Sequence, residues 1–146
     1  MDLKPEMEKK NLRATLDAPM ELSINLDPVR FKEAITNIID NSVKYGNQGG
    51  DINIKMEKFT HPIEKDKQGL RVIVEDNGIG ISQEDLSKLF MRYFERGEEA
   101  RKVYATGRGI GLAITKNIIV AHGGKIWAES AGKGKGSKFT IELPAS

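Results

Sequence analysis

The residues best suited to chemistry lie in a few short clusters. Thr106-Gly107-Arg108-Gly109-Ile110-Gly111-Leu112 sets three glycines at alternate positions and runs straight into an apolar stretch of helical length that ends at His122-Gly123-Gly124. Glycines so spaced let a backbone approach a ligand closely, and a helix starting there directs unpaired N–H groups and a positive dipole end forward. The natural occupant is an anion, a phosphate chain above all; an ordinary glycine loop is the bland alternative, and this motif alone does not separate the two. A second box, Asp76-Asn77-Gly78-Ile79-Gly80, sets a carboxylate beside two more glycines. A third, Gly132-Lys133-Gly134-Lys135-Gly136, and a stretch carrying Asn37, Asn41 and Lys44 complete the set, in a chain with room for one pocket.

These residues need elements to position them. Asp27-Pro28 is a helix start, a capping side chain followed by proline at the first helical position. On that helix Phe31, Ala34, Ile35, Ile38, Ile39 and Ser42 form one arc, and Lys32, Glu33, Thr36 and Asp40 the opposite one. Asn37, Asn41 and Lys44 are spaced i, i+4, i+7 and make a stripe on the flank of the apolar arc, where a helix packed on a sheet can also line a pocket. Asp51 to Glu57 alternates as a strand with Ile52, Ile54 and Met56 facing one way; residues 58 to 69 read as a connection; Leu70 to Glu75 is apolar enough for a central strand that delivers Asp76 to a sheet end. Ser82 with Asp85 is a capping signature, predicting a short helix from Gln83 to about Phe90. No period is sustained from Met91 to Arg108. A helix from about Gly109 to Ala121 follows, then strands at Lys125 to Glu129 and Lys138 to Leu143, with Trp127 a packing residue. Asn11 to Leu16 and Ser23 to Asn25 read as two further strands near the start.

The 146 residues fit one domain, 11–146, behind a charged tail or linker stub, 1–10. With no cysteine, disulfides and thiolate metal sites are excluded, and a reducing, cytoplasmic location is expected. A net charge of +2, from 23 basic and 21 acidic residues, gives no bulk field for nucleic acid. No apolar run is long enough for membrane contact by this domain, which leaves open an anchor in a parent protein.

In their order and spacing the boxes resemble the catalytic, ATP-binding domain of sensor histidine kinases, in the superfamily that also holds type II topoisomerases, mismatch-repair ATPases and ninety-kilodalton heat-shock chaperones. The resemblance runs from about Asn11 to Pro144. It rests on Asn37-Ile38-Ile39-Asp40-Asn41-Ser42-Val43-Lys44-Tyr45, on Asp76 to Gly80, on Leu89-Phe90-Met91-Arg92-Tyr93-Phe94, on Gly107 to Gly111, and on His122 to Ser130 leading into the third glycine box. It implies a Bergerat fold, an α+β two-layer sandwich with a mixed sheet of about five strands and three main helices on one face.

It also implies roles. Asp76 would accept a hydrogen bond from the adenine amine, which guanine lacks at that place, with Gly78, Ile79 and Gly80 keeping the pocket floor low. Asn41 would be the Mg²⁺ ligand, Lys44 the phosphate-neutralising cation and Tyr45 a residue bordering the nucleotide, with Phe90 on its wall. Asn37 stands where hydrolysing members carry a glutamate base; an amide cannot take that proton, so the chain would hold ATP for transfer. Residues 95–108 match the ATP lid. There Arg96 is the γ-phosphate contact, with Arg92 and Arg101 as alternatives because the phenylalanine box carries one residue more than the family pattern. Thr106, Gly107, Arg108, Gly109, Ile110, Gly111 and Leu112 would enclose the phosphates, Arg108 being a contact or simply exposed.

Neither His61, in a polar loop, nor His122, at a helix end, sits in the context of the family's phosphoacceptor. The resemblance therefore implies a partner, the dimerisation and phosphoacceptor domain of the same kinase, and a response regulator beyond it. Two alternatives share the fold: a nucleotide-gated interaction module and a serine kinase of the anti-sigma-factor type.

Overall fold

A computed structural model of the chain describes residues 13–17, 26–44, 49–64, 66–90 and 109–144. Strand β1 (Arg13–Asp17) precedes the long helix α1 (Pro28–Lys44), which leads to β2 (Asp51–Thr60) and β3 (Gln68–Asp76). A single-turn helix α2 (Gln83–Leu86), a second long helix α3 (Gly109–Ala121), and strands β4 (Lys125–Glu129) and β5 (Ser137–Pro144) complete the order. The sheet runs β1-β2-β3-β5-β4, with β1 and β2 parallel and the other neighbours antiparallel. A parallel pair needs a crossover, and α1 supplies it.

The register explains the core. Ile54, Val74 and Phe139 stand side by side, and Met56, Val72 and Ile141 form the next row. Strand side chains alternate, so these rows share one face. Ala34 and Ile38 of α1 and Leu112 and Ile119 of α3 cover it, each at most 1% exposed. The expected two-layer sandwich with its five-stranded mixed sheet is thus the architecture found, and the helix layer lies on one face.

Helix α1 begins as its sequence dictates: Asp27 Oδ1 accepts from the Val29 and Arg30 N–H groups at 3.0 and 3.2 Å, with Pro28 at the position that needs no donor. Asp40, placed by the period on the wet arc, is instead 6% exposed. Asp40, Asn41, Ser42 and Val43 are all buried. Four consecutive residues go round a helix, so the last turns of α1 are enclosed on every side, which a one-stripe pattern cannot register. Helix α3 is rich in β-branched residues that favour strands, yet Leu112, Thr115, Ile118 and Ile119 are buried against α1 and β4, and that packing overrides propensity. Its end is a Schellman turn: Gly123, at φ +79°, donates to the Val120 carbonyl and Gly124 to that of Ile119, both at 2.9 Å.

Three boundaries differ from expectation. The hairpin strands extend further, to Thr60 and from Gln68, leaving 61–67 as the connection, because Phe59 lies over Gly69 and the Arg71 guanidinium, 5.0 Å from the ring centre. Helix α2 has its Ser82 cap, whose hydroxyl accepts from the Asp85 N–H at 3.1 Å, but stops at Leu86. Beyond it Leu89 is buried and Phe90 packs edge-on to Phe139 at 6.4 Å, so core burial sets the path of 87–90. The first strand is Arg13–Asp17. The strand expected at Ser23 to Asn25 lies outside the described residues.

The helix-free face of the sheet carries a charged row, Glu57, Arg71, Glu142 and Lys125. Arg71 donates to Glu142 at 2.6 and 2.8 Å and to Glu57 at 3.2 Å. The hydrogen bond from Arg71 holds the Glu57 carboxyl below its usual value, and the bond to Glu142 raises Arg71. Trp127, half-buried on the same face, donates to Glu129 at 3.2 Å.

Candidate functional site

Strand β3 ends at Asp76, 9% exposed, and two bonds orient its carboxylate. Oδ1 accepts from the Gly78 N–H at 2.9 Å and Oδ2 from the Ser137 hydroxyl at 2.7 Å. Ser137 arrives there because β5 begins in register with the last residue of β3. A carboxylate has about four lone-pair directions, so two bonds leave capacity for a donor from outside. The glycines around it are required by space as well as by conformation. Gly80 and Gly136 both sit at φ +74°, and a Cβ would run into the Gly132 carbonyl oxygen in one case and that of Asp76 in the other. The first and third glycine boxes are thereby docked, with the Gly134 N–H donating to Ile79 at 2.6 Å.

The two long helices bring the remaining residues to the same end of the sheet. The His122 Nε2 accepts from the Asp27 N–H at 3.0 Å, and Asn37 Nδ2 donates to Thr115 Oγ1 at 3.3 Å. The start of α1 thus meets the end of α3, and the helices run antiparallel. Moving along α1 from Asn37 to Asn41 and Lys44 therefore leads toward Gly111 and Gly109, the start of α3. That end is also the Asp76 end, because α1 feeds β2, whose Ile52 is in register with Asp76, whereas α3 feeds Lys125 beside Glu142 at the far end. Asn41 is 6% exposed, a buried amide in the last turns of α1. The amide-bearing start of α3, the Asn37–Asn41 flank and the Asp76 carboxylate converge at one end of the sheet, as an elongated ligand with one polar and one anionic end requires.

The buried arc of α1 also carries an unpaired polar group. Ser42 is 1% exposed, and its Oγ is, among the described residues, the buried side-chain polar atom without a partner. Leaving a hydroxyl unpaired in a core costs about 1–3 kcal/mol, so such an atom calls for a bound group or water. The glycine cradle and the half-open acceptor set of Asp76 are the features at this end of the sheet that a polar ligand can use.

The remaining site expectations are placed as follows. Gly78 is buried, Ile79 is 49% exposed at the tip of its turn, and Phe90 and Leu112 belong to the core wall. Lys44, Gly109, Ile110 and Gly111 are described as helix backbone. Tyr45, Arg92, Arg96, Arg101, Thr106, Gly107 and Arg108 lie outside the described residues. Sequence reading did not single out Ser42, Thr115 or Ser137. Ser42 had a legible signal, a hydroxyl within an apolar arc; Ser137 directly follows a glycine box but is otherwise an ordinary serine.

Fold and site together define an α/β sandwich that sets a strand-end carboxylate and the start of a glycine-opened helix at one end of its sheet. A family model described as "Histidine kinase-, DNA gyrase B-, and HSP90-like ATPase" matches residues 26–146. The chain belongs to this family, and with it comes ATP binding. It is similar to the sensor histidine kinase WalK of Bacillus subtilis, 37% identical over 85% of this chain and 19% of the relative. It is also similar to the adaptive-response sensory kinase SasA of a Synechococcus strain, 33% identical over 98% of this chain and 36% of the relative. The chain therefore spans about a fifth to a third of these relatives. Among solved structures, the catalytic domain of histidine kinase ThkA superposes with a TM-score of 0.75 at 28% identity, covering 98% of this chain and 86% of that one. Among the described residues no helix is long and apolar enough to cross a membrane.

Proposed function

We propose that the chain is the ATP-binding catalytic domain of a cytoplasmic sensor kinase region, which positions Mg²⁺-bound ATP so that its γ-phosphoryl group passes to a histidine on a separate dimerisation and phosphoacceptor domain. The observation that carries this is Asp76: a buried carboxylate at the end of the central strand, oriented from both sides and cradled by glycines that exclude a Cβ. It accepts from the adenine amine. Asn41 supplies a neutral oxygen suited to Mg²⁺, which when bound offsets phosphate charge, and Lys44 and the start of α3 hold the phosphates. Arg96 of the lid meets the γ-phosphate. Asn37 is engaged with Thr115 and has no basic atom with which to activate water, so the site positions the nucleotide and leaves the nucleophile to its partner.

We take that partner to be a separate domain: both ring nitrogens of His122 are engaged, one on the Ile118 carbonyl and the other on the Asp27 N–H, and His61 Nδ1 accepts from the Ile63 and Glu64 N–H groups in the turn after β2. The greater length of the relatives supports such a neighbour, with a response regulator receiving the phosphoryl group in turn. Calorimetric titration with ATP, with and without Mg²⁺, followed by γ-labelled ATP and a panel of phosphoacceptor domains, tests the reading. Label on an acceptor histidine is the expected result. Nucleotide binding with no transfer would leave a nucleotide-gated interaction module, and label on serine a kinase of the anti-sigma-factor type.

A further inference from the structure

Ser130 follows β4 and opens the third glycine turn, and its hydroxyl joins that turn to the box that carries Asp76. Its Oγ accepts from the Ile81 N–H at 3.0 Å and from the Gly132 N–H at 3.2 Å, and donates to the Gly136 carbonyl at 2.6 Å, with the Gly132 carbonyl a more distant acceptor at 3.3 Å. One hydrogen and two lone pairs are all a hydroxyl has, so these bonds use it fully. Its acceptance from Ile81 reaches the segment just after Gly80; its donation reaches the residue just before Ser137. Two residues of the third turn and its exit bear directly on Asp76, Gly136 packing on its carbonyl and Ser137 holding Oδ2, while Gly80 packs on the third turn itself. The residue is half-buried, so water substitutes poorly for a lost hydroxyl.

We propose that Ser130 is a positioning residue for the base-recognising end of the site: without touching the nucleotide, it clamps the first and third glycine boxes together and so fixes the direction of the Asp76 carboxylate. This rests on the reading of Asp76 as the adenine acceptor. Its described bonds stay within the two turns and reach Gln83, whose side-chain amide donates to the Ser130 carbonyl at 3.5 Å, so the effect belongs to the base and not to the phosphates. ATP and ADP, which share the base, must then suffer alike.

The experiment is calorimetric titration of ATP and ADP into the wild-type chain, Ser130→Ala, Ser130→Cys, Asp76→Asn and the Asp76→Asn/Ser130→Ala double variant, with thermal unfolding in parallel. Cysteine keeps the volume and gives up most of the hydrogen bonding, so it stands in if the alanine variant does not fold. Loss of a net bond or so predicts a roughly ten-fold weaker dissociation constant for both nucleotides in both Ser130 variants. Because Ser130 acts through Asp76, its replacement in the Asp76→Asn background should cost almost nothing further, a non-additivity that a general loss of stability would not produce. Wild-type affinity in folded Ser130 variants, fully additive losses in the double variant, or a larger loss for ATP than for ADP would each overturn the proposal. If Asp76→Asn weakens binding while the Ser130 variants do not, Ser130 alone is misread; if Asp76→Asn binds as wild type, the reading of Asp76 fails first.

Discussion

Asp76→Asn changes one atom and leaves the shape of the site. The amide oxygen can take over the Gly78 N–H, and the new NH₂ can donate to Ser137, whose hydroxyl can turn to accept, so both internal bonds at 2.9 and 2.7 Å can be remade without charge. Losing that charge assistance costs the fold about 1 kcal/mol, a fall of about 2–4 °C in unfolding temperature for a chain of this size. The nucleotide suffers more. Its amine would meet a neutral oxygen already engaged, or an NH₂ that repels it, at a position only 9% exposed where water offers little relief. A hydrogen bond to a charged group is worth about 1.5–3 kcal/mol, so the dissociation constant for ATP should rise roughly ten-fold to over a hundred-fold. Specificity should shift as well. A guanine carbonyl opposes the Asp76 carboxylate but can accept from the amide, so the preference for ATP over GTP should narrow from both sides. Calorimetry with ATP and GTP on folded wild type and variant measures both quantities. An unchanged dissociation constant for ATP, or no preference for ATP in the wild type, would remove Asp76 from base recognition.

Other consequences can be checked independently. Asn41→Asp adds a charge that attracts Mg²⁺ and repels phosphates, so the Mg²⁺ dependence of ATP binding should change; identical wild-type titrations with and without Mg²⁺ would remove Asn41 as a metal ligand. Arg71→Met should lower stability modestly at neutral pH, because its partners are about one-fifth to one-third exposed. The depressed Glu57 carboxyl contributes above the ordinary value of 4.5 and loses that contribution as pH falls through its lower folded value, so the gap in unfolding temperature between wild type and variant should close in acid. For residues 95–108, whose cations the sequence pairs with a γ-phosphate, hydrogen exchange should show more protection with a non-hydrolysable ATP analogue than with ADP, and least with neither; equal protection in all three states would show that these arginines do not read the γ-phosphate.

Much of this was legible because its causes are local. Asp27-Pro28 starts a helix through its own cap, Gly123 ends one through its own φ, and the apolar run of Leu70 to Glu75 marks the strand whose end carries Asp76. The glycine boxes were legible for the same reason, since a missing side chain announces that something must come close. What comes close was not legible. Gly80 approaches Gly132, and Gly136 approaches Asp76, only because β5 pairs with β3 in one register and not its neighbours, and a slip of one residue would turn Ser137 away from the carboxylate. A serine that braces a site by such a register has the same composition, neighbours and hydropathy as one that faces water, so Ser130 and Ser137 carried no signal of their own. Asp40 failed for the converse reason, a charge on a correctly phased helix whose last turns are enclosed all round. The residues that a ligand meets directly are thus visible in type and spacing. Those that aim them depend on non-local pairing, and in a pocket built largely of backbone that second group decides how well the carboxylate points.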